Sequence, residues 1–478
     1  MDLRARRSRV KPGMKRIKFG MREAFCIIVR NRYICSMRLR YFVAVLIAGC
    51  IVACQSDPGE QPGTDVIGIS SPQPEQLITK VTLSQEETGY VDAANRTTFK
   101  LFPYLFKNQG SQKSFVFSPL SLQYALGMTA NGASGETLEQ IVGALGFGSD
   151  IDKLNEFCNK LLNQLPALDK DVTLKLADAI IVNQSYPLQP SFKQLVESTY
   201  YAAVENMDFG NPNLVAGKIN NWAYRNTNGL IDKLLNADDI GPDAIAFLMN
   251  ALYLNAPWVP EGAKPLFDPE NTQKDDFFMG GCEVTEAQFM HTQREFRHAD
   301  LGPFQLLEVP YAGGKFAMYI VLPEGEVVGD TPNPKSVYGF DNLISDFSQL
   351  DWKGALSKLE TKTVNLKLPK FETSSEYQLN DALKNLGMKL PFTGAAAFDR
   401  MFQNPNLGAY IGQVIQKAKI SVAEWGTKAA AVTVVQMEKN SGFGPETPVE
   451  FSCNHPFAYL IAEKTSGVIL FAGAYLGY

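Results

Sequence analysis

The chain has 478 residues, 45% of them hydrophobic and 20% charged, a globular balance with ample length for a large core. Its formal net charge of -5 conceals an asymmetry: residues 1–40 carry 13 Lys or Arg against two acids, leaving 32 basic and 48 acidic side chains in the remainder. An acidic body repels phosphate, which excludes nucleic acid as a partner.

The basic head reads as targeting. From Met37, MRLRYFVAVLIAGCIVACQSD places Arg38 and Arg40 before an uncharged apolar run, Tyr41 to Ala53, which is too short to span a bilayer and suits a signal-peptide core. Small residues precede Cys50 and Cys54 at its end, a pattern that resembles the lipobox of bacterial lipoproteins. Cys54 is favoured for lipidation, because it follows the longer apolar run and precedes polar QSDPGEQPG; Cys50 is the alternative. Residues 1–36 then read as an upstream overextension of the frame, 37–53 as a lipoprotein signal peptide and 54–88 as a flexible tether rich in Gly, Pro, Gln and Ser. The folded domain, 89–478, would hang by its lipid from a bacterial outer membrane or cell surface. A plain cleaved signal peptide, or a basic arm on a membrane surface, is the competing reading.

Three cysteines, Cys158, Cys282 and Cys453, fall in the folded part, an odd number at wide spacing that argues against a disulfide framework. From Val91 the spacing of Phe99, Phe102, Leu105 and Phe106 predicts a helix. A β-like SFVF follows, then a Ser-Pro helix start and an apolar helical run ended by Asn131-Gly132. Strands are predicted over 173–182, 244–258, 305–311, 315–323 and 363–371, and HPFAYLIAEKTSGVILFAGAYL reads as a closing hairpin. The mixture points to an α+β fold of mostly antiparallel sheets with helices packed on them.

No catalytic motif accompanies these elements. The three histidines, His291, His298 and His455, stand outside any H-E-x-x-H frame, and the chain has no C-x-x-C pair, G-x-S-x-G elbow or phosphate-binding G-x-x-x-x-G-K-[ST] loop. GALGFG at 143–148 has the wrong spacing for a dinucleotide fingerprint. Neither a cofactor nor a metal is implied.

Five segments in order resemble one family, the serpins, from about Val91 to the C-terminus: FSPLS at 117–121, NGASGETLEQI, LMNALYLNAPW, LPKFETSSEYQLNDALKNLGM, and HPFAYLI followed by ILFAG. The resemblance implies three β-sheets, about eight or nine helices and an exposed reactive-centre loop on a monomer that inhibits proteases rather than acting as an enzyme. It puts Ser118, Ser121, Asn250 and Gln416 at the shutter of the main sheet, and Trp258, Lys370 and Glu424 at the breach above it. Gln416 falls where most members have histidine; glutamine can still bridge Ser118 and Asn250, but it cannot titrate.

The loop would begin at Glu424 and Gly426, in VAEWGTKAAAVTVV. In the family a protease cleaves this loop, which then inserts as a new strand into the main sheet while the protease is still acylated. The residues suit insertion. No Pro occurs between Glu424 and Gly444, and the alternate positions Thr427, Ala429, Ala431, Thr433, Val435 and Met437 are small or apolar, with Lys428 and Gln436 on the other face. A surface helix through Ala429, Ala430 and Ala431 is disfavoured by the β-branched run that follows.

The scissile bond is expected at Lys439-Asn440, or one residue on at Asn440-Ser441, which would draw trypsin-like serine proteases. Val434, Val435 and Met437 would instead suit elastase-like enzymes and Phe443 chymotrypsin-like ones. Papain-like cysteine proteases are further candidate targets. The competing reading is a non-inhibitory serpin, cleaved as a substrate or docking a partner strand.

Overall fold

The computed structural model describes residues 76–108, 113–148, 150–241, 243–279, 284–324, 335–404, 406–427 and 447–477. All lie in the second of two units, Gly63–Tyr478, the first being Met1–Pro62. Among the described residues there are nine helices: α1 Gln85–Asn108, α2 Pro119–Asn131, α3 Gly135–Ala144, α4 Ile151–Gln164, α5 Pro190–Thr199, α6 Pro212–Asn226, α7 Lys335–Phe347, α8 Trp352–Ser357 and α9 Asn380–Asn385. The strands of the first half are β1 Phe115–Phe117, β2 Thr173–Asn183, β3 Ala203–Met207, β4 Ala246–Pro257, β5 Gln273–Phe278, β6 Val284–Asp300, β7 Phe304–Pro310 and β8 Phe316–Pro323. Those of the second are β9 Glu360–Pro369, β10 Phe371–Gln378, β11 Ile415–Ala423, β12 Gly426–Thr427, β13 Val449–Ser452, β14 Phe457–Glu463 and β15 Ile469–Tyr475.

Folded structure starts upstream of the expected boundary at residue 89. Ser84 and Glu87 cap α1 reciprocally, Ser84 N–H donating to Glu87 Oε2 at 2.6 Å and Glu87 N–H to Ser84 Oγ at 3.2 Å. Before the helix, Val81 is buried and Ile78 N–H donates to Ala167 O at 2.9 Å. The last part of the expected tether is therefore packed against the domain.

Hydrogen bonding gathers the strands into two sheets. The smaller runs β10-β11-β12-β4-β2-β3, and the larger runs β1-β15-β14-β8-β7-β6-β9-β13 with β5 added beside β6. The larger joins what the family resemblance counts as two sheets, because β6 is 17 residues long and pairs successively with β5, β9 and β7. Strands β8, β14 and β15 are buried along their whole length, as their continuous apolar runs require. In contrast, β10 alternates strictly, with Phe371, Thr373, Ser375 and Tyr377 inward and Glu372 and Glu376 outward. On that outer face Lys417 and Lys419 of β11 reach Glu376 at 2.8 Å and Glu372 at 2.7 Å, bracing the two strands together.

The main core lies between the two sheets and under α1, α2 and α4. A second, smaller core forms where Val215, Ile219 and Trp222 of α6 cover the opposite face of the smaller sheet, against Ala177, Ala179 and Ile181 of β2.

Candidate functional site: a parted sheet and its hinge

Among the described residues of the smaller sheet, β4 and β11 are joined through the two residues of β12. Thr427 stands opposite Val422 on one side and Ala256 on the other, and Gly426 opposite Ala423 and Pro257. Below that point β4 bonds to β2 and β11 to β10, but no pairing links β4 to β11 among the described residues. A cavity of about 460 Å³ occupies this level, lined by Leu122 and Leu126 of α2, Trp222 of α6, Met249 and Asn250 of β4, and Ile415 of β11. Among the described residues the sheet is thus parted, with β4 and β11 each presenting an inner edge toward the slot.

At the head of the slot the chain reverses tightly. Gly426 has φ +142°, and a Cβ there would come within 2.6 Å of Pro257 Cα, so close approach and backbone angle both demand glycine. Thr427 is buried, its Oγ1 2.6 Å from Tyr311 Oη. The Tyr311 ring stacks on Trp258 at 4.7 Å, and the Trp258 indole N–H donates to Ala423 O at 2.8 Å. Glu424 Oε2 pairs with Lys370 Nζ at 3.0 Å, and its Oε1 accepts from Thr272 Oγ1 at 2.9 Å. Burial alone would raise the Glu424 carboxyl, but its backbone hydrogen bond, Lys370 and Thr272 outweigh that and hold it below the usual range.

Lower down, Ser118 anchors the N-terminus of α2. Its Oγ accepts from Ser121 N–H at 3.2 Å and donates to Leu470 O at 2.8 Å, tying the helix to β15. Gln416 clamps the backbone of the same residue: Oε1 accepts from Ser118 N–H at 3.1 Å and Nε2 donates to Ser118 O at 2.8 Å. The sequence-based expectation that Gln416 bridges Ser118 and Asn250 is half met. Asn250 instead donates from Nδ2 to Asp178 Oδ1 at 2.9 Å, because the register of β2 and β4 sets those two residues opposite each other.

Of the residues singled out from sequence, Ser118, Ser121, Asn250, Trp258, Lys370, Gln416, Glu424, Gly426 and Thr427 all line or flank this one slot. Ala429, Ala430, Ala431, Val434, Val435, Met437, Lys439, Asn440, Ser441 and Phe443 lie outside the described residues, as do Cys50 and Cys54. Sequence reading missed Asp178, Thr272 and Tyr311. A lone acid inside the apolar run LKLADAIIV was the available signal for the first.

The histidines do other work: buried His455 bonds Asn454 Oδ1 and Pro323 O, and His298 bonds Gln305. Cys158 and Cys453 are free and buried. No group of metal-ligating side chains is found among the described residues.

Residues 92–477 match the family model described as Serpin (serine protease inhibitor). The chain belongs to the serpin family. Serpin-Z2A of Triticum aestivum is 31% identical over 83% of this chain and 97% of the wheat protein. The crystal structure of Serpin48, a highly specific serpin of the insect Tenebrio molitor, superposes with a TM-score of 0.69 at 27% identity, covering 82% of this chain and 99% of that one. Human thyroxine-binding globulin, crystallised with its hormone, shares the fold at 24% identity and TM-score 0.67, covering 81% of this chain and 98% of its own.

Proposed function

We propose that the protein is an inhibitory serpin, a suicide inhibitor that traps serine endopeptidases, and papain-like cysteine endopeptidases as well, in a covalent acyl-enzyme. The observation that carries this reading is the parted sheet, with its slot already started by Gly426 and Thr427 between β4 and β11.

Carried forward in the same register, Ala429 would stand between Leu254 and Ile420, Ala431 between Leu252 and Ala418, and Thr433 between Asn250 and Gln416. Leu252, Leu254, Ala418, Ile420 and Gln416 are all buried, so each small loop residue would meet the inner face of the sheet. Large or charged residues would not fit there; alanines and threonine do.

Cleavage after Lys439 would leave the protease esterified to the Lys439 carbonyl. Insertion of about 14 residues at ~3.3 Å each would carry that protease ~46 Å along the sheet, away from the geometry its deacylation needs. Trypsin-like enzymes are the first expected targets, elastase-like ones the second. A lipid on Cys54, or on Cys50, would tether the inhibitor to a bacterial membrane, outside the cytoplasm. No helix among the described residues is long and apolar enough to cross a membrane.

The test is to mix the purified protein with trypsin and with neutrophil elastase, separate the products on denaturing gels and weigh the released C-terminal peptide. A complex that survives denaturation with a peptide starting at Asn440 supports both the inhibition and the bond. Loop cleavage by every protease, with no complex, sinks the inhibitor reading and leaves a serpin that is cleaved as a substrate or docks a partner strand.

A further inference from the structure

Residues 77–84, ahead of α1, form a short strap on the domain. Val81 is buried in the main core, and Ile78 and Leu83 are half-buried against it. Three hydrogen bonds pin the strap. Ile78 N–H donates to Ala167 O at 2.9 Å and Thr82 N–H to Gln164 Oε1 at 2.9 Å, while Lys315 Nζ donates to Thr79 O at 2.5 Å. The first two partners belong to the end of α4 and the turn Leu165–Ala167 that follows it. The third, Lys315, belongs to the link between β7 and β8.

That link also holds the hinge. It runs from Tyr311 to Lys315 and is closed by Gly314 N–H donating to Tyr311 O at 3.0 Å and Tyr311 N–H to Phe316 O at 2.9 Å. Within it Gly313 and Gly314 have φ +71° and +68°, and neither carries a side chain that could anchor the turn. Its position is therefore set by what touches it from outside. Tyr311 meets Thr427 by its hydroxyl and Trp258 by its ring, and the Trp258 backbone N–H donates to Trp425 O at 3.1 Å. Lys315 reaches the strap. Gly313 lies against the carboxylate of buried Asp169, too close to admit a Cβ, and Asp169 stands two residues beyond Ala167, itself a strap contact. The strap thus grips the turn twice, directly through Lys315 and indirectly through the connector from Ala167 to Asp169.

We infer that the strap positions the hinge: docked, residues 77–84 keep Tyr311 against Thr427 by way of the turn Ala312–Gly314, and undocked they loosen Gly426 and Thr427 from β4 and β11. Lys315 is the positioning residue. A pull on the chain upstream of residue 76 reaches the strap before it reaches the sheet, and the strap converts it into a looser hinge. The coupling is a property of the hinge and does not depend on inhibition of any protease.

The test is hydrogen exchange of the intact protein, read by mass in peptides covering Trp258 and Gly426–Thr427. Residues 180–183, at the other end of β2 where it pairs with β3, serve as the reference. Lys315→Met removes the ammonium that reaches Thr79, and exchange at the hinge is expected to rise about tenfold, the size expected for one hydrogen bond from a charged donor, with residues 180–183 unchanged. Val81→Asp drives the strap off its core contact and should raise hinge exchange at least as far. Lys315→Arg keeps a cationic donor and should exchange like the parent. Parent-like hinge exchange in Lys315→Met overturns the coupling, even where Val81→Asp fails to fold. An equal rise at residues 180–183 marks a general loss of stability and overturns it as well, as does a rise in Lys315→Met that a folded Val81→Asp does not share.

Discussion

Tyr311 and Thr427 meet hydroxyl to hydroxyl at 2.6 Å, both buried, so the first inward-facing residue of the hinge is bonded to the larger sheet's layer before any further strand is in place. Removing one hydroxyl strands the other in a site closed to water. Tyr311→Phe is expected to lower stability by roughly 1–3 kcal/mol, as is Thr427→Val, and the double variant by less than their sum. Denaturant midpoints of the four proteins give the comparison; additive losses would mean the pair is not coupled.

Gly426 is the second hinge constraint. With φ at +142° and Pro257 Cα within 2.6 Å of any added Cβ, Gly426→Ala must strain the turn or lift β12 from β4. Backbone strain of this kind costs about 1–3 kcal/mol. Faster amide exchange at Thr427 would report the lifting, and a parent-like exchange rate would show that the turn absorbs the methyl group.

Two carboxyls near the slot should tilt the pH profile of stability in opposite directions. Glu424 is held below its ordinary value of 4.5, so its contribution is present above that pH and is lost as the pH falls through its lower folded value. Asp178 is raised from 3.8 to about 7, so the stability it favours is full below 3.8 and is lost as the pH rises toward 7. Glu424→Gln should therefore flatten the acid limb, and Asp178→Asn the fall between those two values. Unfolding midpoints of both variants across pH 2–8 check the signs.

The projected register makes a sharper demand on the loop. Ala431→Arg would push a cation between Leu252 and Ala418, where neither burial nor a partner accommodates it. Protease cleavage of the loop should continue while the gel-stable complex disappears. Retention of the complex at the parent's stoichiometry would refute the register.

Much of this was legible in the chain itself. The strands predicted at 173–182, 244–258, 305–311, 315–323 and 363–371 correspond to β2, β4, β7, β8 and β9: β2, β7 and β8 are apolar runs buried over most of their length, and β9 alternates buried with half-exposed positions in its second half. The long β6 went unread, since VTEAQFMHTQREFRHAD mixes charge into a strand that is half exposed. The start of α1 was placed late for a similar reason: QEETGY is polar, and only the Ser84–Glu87 capping pair marks it. At the site, Gly426 and Gln416 could be picked out one residue at a time, but the partnership of Asn250 with Asp178 depends on strand register, which no local pattern carries.

The ion pairs on the outer face of β10 and β11 have a mechanical meaning. The antiparallel ladder from Phe371–Val422 to Gln378–Ile415, with Lys417 and Lys419 across its outer face, makes one wall of the slot a two-strand plank instead of a single pliant ribbon. Whatever wedges itself beside β11 must displace β10 with it, so resistance to an oversized side chain is shared by both strands. Such a gap discriminates by width: it gives way as a whole or stays shut, and it has little capacity to bulge around one misfit.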